Sequence, residues 1–161
     1  CGLAGTIFQE HASKVVRDML LLLQHRGEAG AGICSMDDHI HIRKGPGLVD
    51  DLFPQHDPMH DLPGIHAFGH NRYPTKGEAD DNCNVQPLLV RDSNQGEVAL
   101  AHNGTLLEHN SLRESLVKKG AVFQSTTDTE YMLHDIASST APNLEQAVLC
   151  PFDPLYFESE C

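Results

Sequence analysis

Cys1-Gly2-Leu3-Ala4-Gly5-Thr6-Ile7 is the stretch from which the rest of the chain is read. A cysteine in first position carries a thiol and a free α-amine, so one residue can supply both a nucleophile and a general base for it. The amine titrates near ~8 and the thiol near ~8.5, and a bridging water can pass the proton between them. Taken alone, a terminal cysteine is more simply a chain end. The residues after it read as a short strand over 1–8, with Gly2 and Gly5 allowing close backbone approach.

Outward from that strand, Val15, Val16, Met19, Leu20, Leu22 and Leu23 recur at helical spacing and predict a helix over Ser13 to Gln24, capped by Ser13 and stopped by Gly27. Ala31–Met36 and His39–Arg43 read as a hairpin through Asp37-Asp38, broken by Lys44-Gly45-Pro46-Gly47. Leu48–Phe53 predicts a turn or two of helix, Pro54–Pro63 a polar connector, Ile65–Tyr73 a strand, and 76–84 a surface loop. Val85–Arg91 and Glu97–His102 form a strand pair about Ser93–Gly96. Glu108–Lys119 predicts a helix with Leu112 and Leu116 on one face. Thr127-x-x-Glu130 is a capping box opening a helix whose Met132, Leu133, Ile136 and Ala137 face the core.

A chain of 161 residues, 40% hydrophobic, can bury one respectable core, and one globular domain is expected. Its formal charge of -12 argues against nucleic-acid or anionic-membrane surfaces, which need basic patches. No apolar run approaches a transmembrane length of about 20 residues. The start lacks a secretory pattern, so a cytoplasmic location is expected. The five cysteines are widely spaced without a C-x-x-C pair, and reduced thiols are expected rather than a disulfide framework or zinc ribbon.

Polar clusters fall at the ends of these elements, where sites are built. They are Cys1-Gly2, Leu23-Gln24-His25-Arg26-Gly27, Lys44-Gly45-x-Gly47-Leu48-Val49, Gly69-His70-x-Arg72-Tyr73-x-Thr75, Gln86-Pro87, Ala101-His102-Asn103-Gly104 and Thr127-Asp128-Thr129-Glu130. In order and approximate spacing this set resembles the class II glutamine amidotransferases, which are N-terminal-nucleophile hydrolases. The wording is most similar to the glutaminase domain of the amidophosphoribosyltransferases, over roughly residues 1 to 140.

The resemblance implies an α+β fold, the four-layer αββα sandwich of N-terminal-nucleophile hydrolases, here abbreviated at its C-terminal end. It implies L-glutamine as substrate and Cys1 as the attacking group, forming a γ-glutamyl thioester and releasing ammonia. Attack creates an oxyanion that needs donors fixed beforehand, and Asn103 and Gly104 are implied in that role through a side-chain and a backbone N–H. A planar guanidinium suits the substrate α-carboxylate, so Arg72 is implied there, with Thr75 adding a hydroxyl. Asp128 is implied to hold the α-ammonium, although an acidic residue in the first turn of a helix is stabilising without any ligand. Arg26 is implied to order the loop over the thiol, and as a helix-end cation it is also favoured structurally.

No metal or other cofactor is expected. His39 and His41 share a strand face, and His56, Asp57, His60 and Asp61 have metal-like spacing, yet a solvated surface accounts for both. His70 and His102 are expected to hydrogen-bond behind the site rather than act as bases.

Departures from the family pattern stand beside the resemblance. Glu28-Ala29-Gly30 replaces a usual Gln-Asp-Ser or Gln-Asp-Ala, and Asn71 replaces a usual apolar residue. The second half of the domain, with its Arg-Asp-Pro-x-Gly-x-Arg-Pro-Leu segment, is missing after about Val148. Residues 150–157 resemble the segment leading into a transferase domain; an alternative aligns Asp153-Pro154-Leu155 with a shortened Asp-Pro segment. The chain thus reads as an incomplete glutaminase domain over 1–148 and a linker-like tail over 149–161. Nothing resembles a phosphoribosyl-pyrophosphate loop, so the ammonia acceptor is expected on a partner domain or subunit. Cys150 could correspond to an iron–sulfur ligand of some members, but a free thiol is expected. A shortened sandwich would expose edges, favouring a homo-oligomer or marginal stability. The rivals are a catalytically weak glutamine-binding module and a histidine-built metal module.

Overall fold

The computed structural model describes residues 1–57, 59–73, 82–106 and 109–149, with the side chains of 109 and 110 excepted. Thr75, most of the 76–84 loop, Cys150 and the tail segments that resembled a linker or a shortened Asp-Pro segment lie outside the described residues. The chain divides into two compact units, residues 1–88 with 100–104, and residues 89–99 with 105–161.

The first unit is built on a four-stranded antiparallel sheet in the order β1-β4-β2-β3, from Gly2–Thr6, His66–Arg72, Gly30–Met36 and Ile40–Pro46. Register decides what each face carries. Ala31 pairs with Asn71, Ile33 with Gly69 and Ser35 with Ala67, while Gly32 pairs with His70 and Gly30 with Arg72. Because side chains alternate along a strand, Ala31, Ile33, Ala67 and Asn71 share one face, and His70 and Arg72 share the other.

Helix α1, Ala12–Leu22, packs on the first face. Val16 and Leu20 are fully buried there with Ala12, Ala31, Ile33 and Ala67, and each large aliphatic side chain removed from water contributes about 1.5–3 kcal/mol. The approach is close enough that a Cβ on Gly69 would lie 2.7 Å from Leu20 Cδ1. Helix α2, Val49–Leu52, adds Val49 and is followed by buried Phe53 in the same core.

Several sequence expectations are corrected in this unit. Ser13 does not cap α1: His11, in the left-handed region at φ 56°, is the N-cap, and Ser13 is buried in the first turn, donating Oγ–H to the Leu62 carbonyl at 2.9 Å. Met19 and Leu22 fall on the solvent side of the helix. β3 continues through Lys44-Gly45-Pro46, since Pro46 occupies the last position of an edge strand, where a missing N–H costs no ladder bond. β5 begins at Leu88 rather than Val85. The preceding residues, which include a cis Gln86–Pro87 bond, instead lie over the face opposite α1. There a Cβ on Gly32 would be 2.3 Å from the Gln86 carbonyl oxygen, and one on Gly30 would be 2.8 Å from Val85 Cγ2.

Of the proposed histidine clusters, His41 faces Asp37 at 2.9 Å, and the Asp57 and Asp61 carboxylates accept from Arg43 at 2.7 and 3.1 Å. Arg43 also lies over the Phe53 ring, 4.6 Å from its centroid.

β5 (Leu88–Asp92) and β6 (Gly96–Leu100) form a two-stranded sheet whose residues other than Leu88 and Leu100 belong to the second unit, which also holds α3 (His109–Lys118), α4 (Asp128–Ser138) and α5 (Leu144–Leu149). The hairpin turn is tied to the C-terminal end of α4: Asn94 Nδ2 donates to the Ser138 carbonyl, and Gln95 Nε2 to those of Ser139 and Ala141. Met132, Leu133, Ile136 and Ala137 are buried as expected, with Leu116 and Tyr131. Thr127 is the N-cap and accepts from the Thr129 N–H at 3.3 Å. The reciprocal half of the capping box is absent from α4, because Glu130 accepts from the N–H groups of Gln124 and Ser125 and from the Ser125 hydroxyl. No helix among the described residues is long and apolar enough to cross a membrane.

Candidate active site

The first unit gathers three separated segments around Cys1. β1 begins at Gly2, directly beside the end of β4, because the register pairs Gly2 with Asn71. That alignment brings the backbone N–H of Tyr73 to 3.4 Å from Cys1 Sγ, where it donates to the sulfur. Tyr73 carried no assignment in the sequence, since a backbone donor leaves no trace in residue type.

The turn after α1 contributes Arg26, whose Nε–H donates to the Cys1 carbonyl at 2.9 Å. Gln24 fixes this turn: its Nε2 donates to the Gly27 carbonyl at 2.6 Å and its Oε1 accepts from the Val49 N–H at 2.9 Å. Gly27 is pressed against the end of β4, where a Cβ would lie 2.6–2.8 Å from backbone atoms of Arg72 and Asn71, so only glycine fits without moving the strand. Beyond it, the Ala29 N–H donates to the Arg72 carbonyl at 3.0 Å, and the departure at Glu28-Ala29-Gly30 is therefore accommodated through backbone pairing.

Residues 100–104 supply the third side. Gln86 Oε1 accepts from the His102 N–H at 2.7 Å, which anchors the loop, and Asn103 then donates Nδ2–H to the Cys1 carbonyl at 3.4 Å. Gly104 lies against the His102 ring, so close that a Cβ at this position would fall 2.7 Å from Nε2. Arg72 is buried on the same sheet face as His70.

The electrostatics suit a thiol and an amine working together. Burial, and then the positive charge of Arg26, hold the Cys1 α-amine below its ordinary value of 8.0, so more of it is unprotonated at neutral pH. His70 is pushed down to about 4, chiefly by burial, and is a neutral imidazole rather than a competing cation. Cys34, buried in β2, is a contrasting thiol: desolvation raises it to about 12, leaving it protonated and unreactive.

Cys1, Arg26, Arg72, Asn103 and Gly104 thus belong to one compact unit. Thr75 lies outside the described residues. Asp128 belongs to the second unit, where its Oδ2 accepts from the Leu106 N–H at 2.5 Å and it occupies the first turn of α4. Asn71 faces α1: its Nδ2 donates to the Leu20 carbonyl at 2.8 Å.

A family model described as a glutamine amidotransferase domain matches residues 70–148. An amidophosphoribosyltransferase of Bacillus subtilis is 41% identical over 140 residues, covering 86% of this chain and 29% of that protein. One from Lacticaseibacillus casei is 42% identical over 135 residues, covering 83% of this chain and 69% of the relative. Among solved structures, one described as the allosteric regulatory enzyme of purine biosynthesis superposes with a TM-score of 0.82 at 39% identity, over 92% of this chain and 32% of its own. A glutamine phosphoribosylpyrophosphate amidotransferase from B. subtilis gives 0.79 at 38% identity, over 92% and 31%. The chain spans less than a third of the B. subtilis relative's length. At these identities the likeness establishes the α+β fold of the amidotransferase structures, and the chain belongs to the amidophosphoribosyltransferase family, within its glutamine amidotransferase domain.

Proposed function

We propose that residues 1–148 hydrolyse the side-chain amide of L-glutamine at Cys1 and release ammonia for an acceptor held outside this chain. The observation that carries the reading is convergence on one residue: Arg26 and Asn103 both donate to the Cys1 carbonyl while Tyr73 donates to its sulfur.

The α-amine takes the thiol proton and the thiolate attacks the amide carbon. Negative charge then develops on the former carbonyl oxygen, where the Asn103 side chain and the Gly104 N–H are assigned as donors. The ammonium form of the Cys1 amine returns its proton to the amide NH2 group as collapse breaks the C–N bond, and that group leaves as ammonia. Water, deprotonated by the same amine, attacks the γ-glutamyl thioester; the C–S bond breaks, glutamate leaves, and the Cys1 thiolate regains the proton from the amine. Arg72 and Thr75 hold the substrate α-carboxylate, Asp128 holds its α-ammonium, and Arg26 orders the loop over the thiol.

An acceptor domain or subunit completes amide transfer in purine nucleotide synthesis, in a cytoplasmic setting that would keep the Cys1 thiol reduced. Association of copies is part of the proposal. β1 is an edge strand in the described sheet and is bordered by exposed Leu3, Ile7 and Phe8.

Ammonia release from glutamine by the purified chain, with Cys1→Ser as control, tests the reading. Release by wild type alone supports it; equal release overturns it in favour of a binding module. Mass spectrometry of the mature N-terminus tests its other requirement, because a residue preceding Cys1 would convert the amine into an amide.

A further inference from the structure

His70 lies at the centre of the sheet, paired in register with Leu3 of β1 and Gly32 of β2, and only 1% of its surface is exposed. Neither ring nitrogen makes a hydrogen bond of ordinary geometry among the described residues. A neutral imidazole has one N–H donor and one acceptor lone pair, and a buried polar group left unpaired costs about 1–3 kcal/mol. A ring in this position is expected to have a use for its proton.

The surroundings fix its charge. Burial acts first, and the Cys1 amine, Arg72 and His102 add to it in opposing a second proton. The segment that carries Asn103 is held over this face: a Cβ on Gly32, the residue paired with His70, would lie 2.3 Å from the Gln86 carbonyl oxygen, and Gln86 Oε1 accepts from the N–H of His102, next to Asn103. Among these neighbours the Asn103 side chain alone acts in the opposite direction, as an acceptor oxygen facing the ring N–H would.

Asn103 has a matching need. Its Nδ2 is turned to the Cys1 carbonyl, which leaves Oδ1 to be held. A side-chain amide is nearly symmetric in shape, so rotation by half a turn would aim oxygen rather than N–H at a developing oxyanion and convert attraction into repulsion. The Cys1 carbonyl favours the orientation that presents Nδ2, and a donor on Oδ1 would hold the amide in the same one.

We propose that His70 is a positioning residue for Asn103, its buried ring N–H donating to Asn103 Oδ1 and so fixing the amide with Nδ2 directed to the reacting centre at Cys1. The catalytic consequence rests on the glutaminase reading, while the contact itself does not.

Removing an oxyanion donor outright costs roughly 10²–10³ in kcat, so losing its orientation in His70→Leu is expected to lower kcat by about 10- to 100-fold. KM for glutamine should stay within about twofold, because the effect is confined to the transition state. His70→Gln, which restores an N–H donor, should recover most of the rate. Asn103→Ala combined with His70→Leu should be no slower than Asn103→Ala alone, since the first change leaves nothing to position. Losses that multiply, or a folded His70→Gln as slow as His70→Leu, would overturn the assignment.

If His70→Leu does not fold, nitrogen-15 NMR of the histidine rings in wild type and Asn103→Ala decides. A protected ring N–H resonance of His70 that shifts or is lost in Asn103→Ala supports the contact, and one that is unchanged refutes it. Inactive wild type with a shifted resonance would refute the glutaminase reading and leave the contact standing.

Discussion

The backbone N–H of Tyr73 donates to the Cys1 sulfur at 3.4 Å, one residue beyond the buried Arg72 that ends β4. The pairing of β1 with β4 produces this: Gly2 is opposite Asn71, so the residue before β1 and the residues after β4 must be neighbours. A donor aimed at sulfur favours the thiolate, and a single-residue catalyst needs that form when the amine has taken its proton.

Arg26 should set the acid side of the pH profile. Its positive charge is the second cause, after burial, of the lowered Cys1 amine, so Arg26→Gln returns that pKa toward 8.0. The base form then becomes scarcer at neutral pH. The acid limb of kcat/KM for ammonia release is expected to move to higher pH, with activity largely regained at pH about 9. A limb that stays in place would separate Arg26 from the amine.

Asp128 can be probed without disturbing its helix. Asn at this position still offers an oxygen to the Leu106 N–H and still suits the first turn of α4. Loss of the charge should therefore appear in substrate binding: Asp128→Asn is expected to raise KM for glutamine about 10- to 100-fold, the worth of a charge-assisted hydrogen bond. An unchanged KM with unchanged stability would reduce Asp128 to a structural residue.

Asn71 should be replaceable. It sits on the α1 face, its Oδ1 has no partner among the described residues, and the Leu20 carbonyl it satisfies also accepts from the Leu23 N–H. Asn71→Leu removes an unpaired buried polar group and is expected to change urea-unfolding stability by no more than about 1 kcal/mol, with KM and kcat unaltered. A shifted KM would mean that position 71 reaches the site.

Acid stability follows from His70. Its pKa is about 4 in the folded chain against an ordinary 6.5, so the unfolded chain takes up the proton first as pH falls. The contribution is intact above pH 6.5 and is lost progressively down to about pH 4, amounting to about 3 kcal/mol. Urea titrations of wild type and His70→Gln at pH 7 and 4.5 should show the larger acid loss in wild type.

Much of this was legible in the residues. Strand character over Ile65–Tyr73 and helical spacing from Val15 to Leu23 announced the strand and the helix, and the motif order pointed to one site made of Thr75, Asp128 and the five residues Cys1, Arg26, Arg72, Asn103 and Gly104. The structure groups those five in one compact unit. Other features depended on long-range packing. Ser13 has cap chemistry, but tertiary burial under Leu62 claimed its hydroxyl. Glu130 had the right spacing for a capping box, yet the turn at Gln124 and Ser125 competed for both oxygens. Tyr73 and Gln24 act through a backbone donor and an amide clamp, which residue type and spacing do not announce.

The central claim is that Cys1 forms a bond to substrate. Intact-mass analysis of the purified chain, acid-quenched during turnover with glutamine, measures this directly. The expected result is a species heavier by one γ-glutamyl group, located on residue 1 by peptide mapping, absent in Cys1→Ser and discharged by hydroxylamine. Glutamine turnover with no such species at any quench time, or with the adduct on another residue, would contradict it.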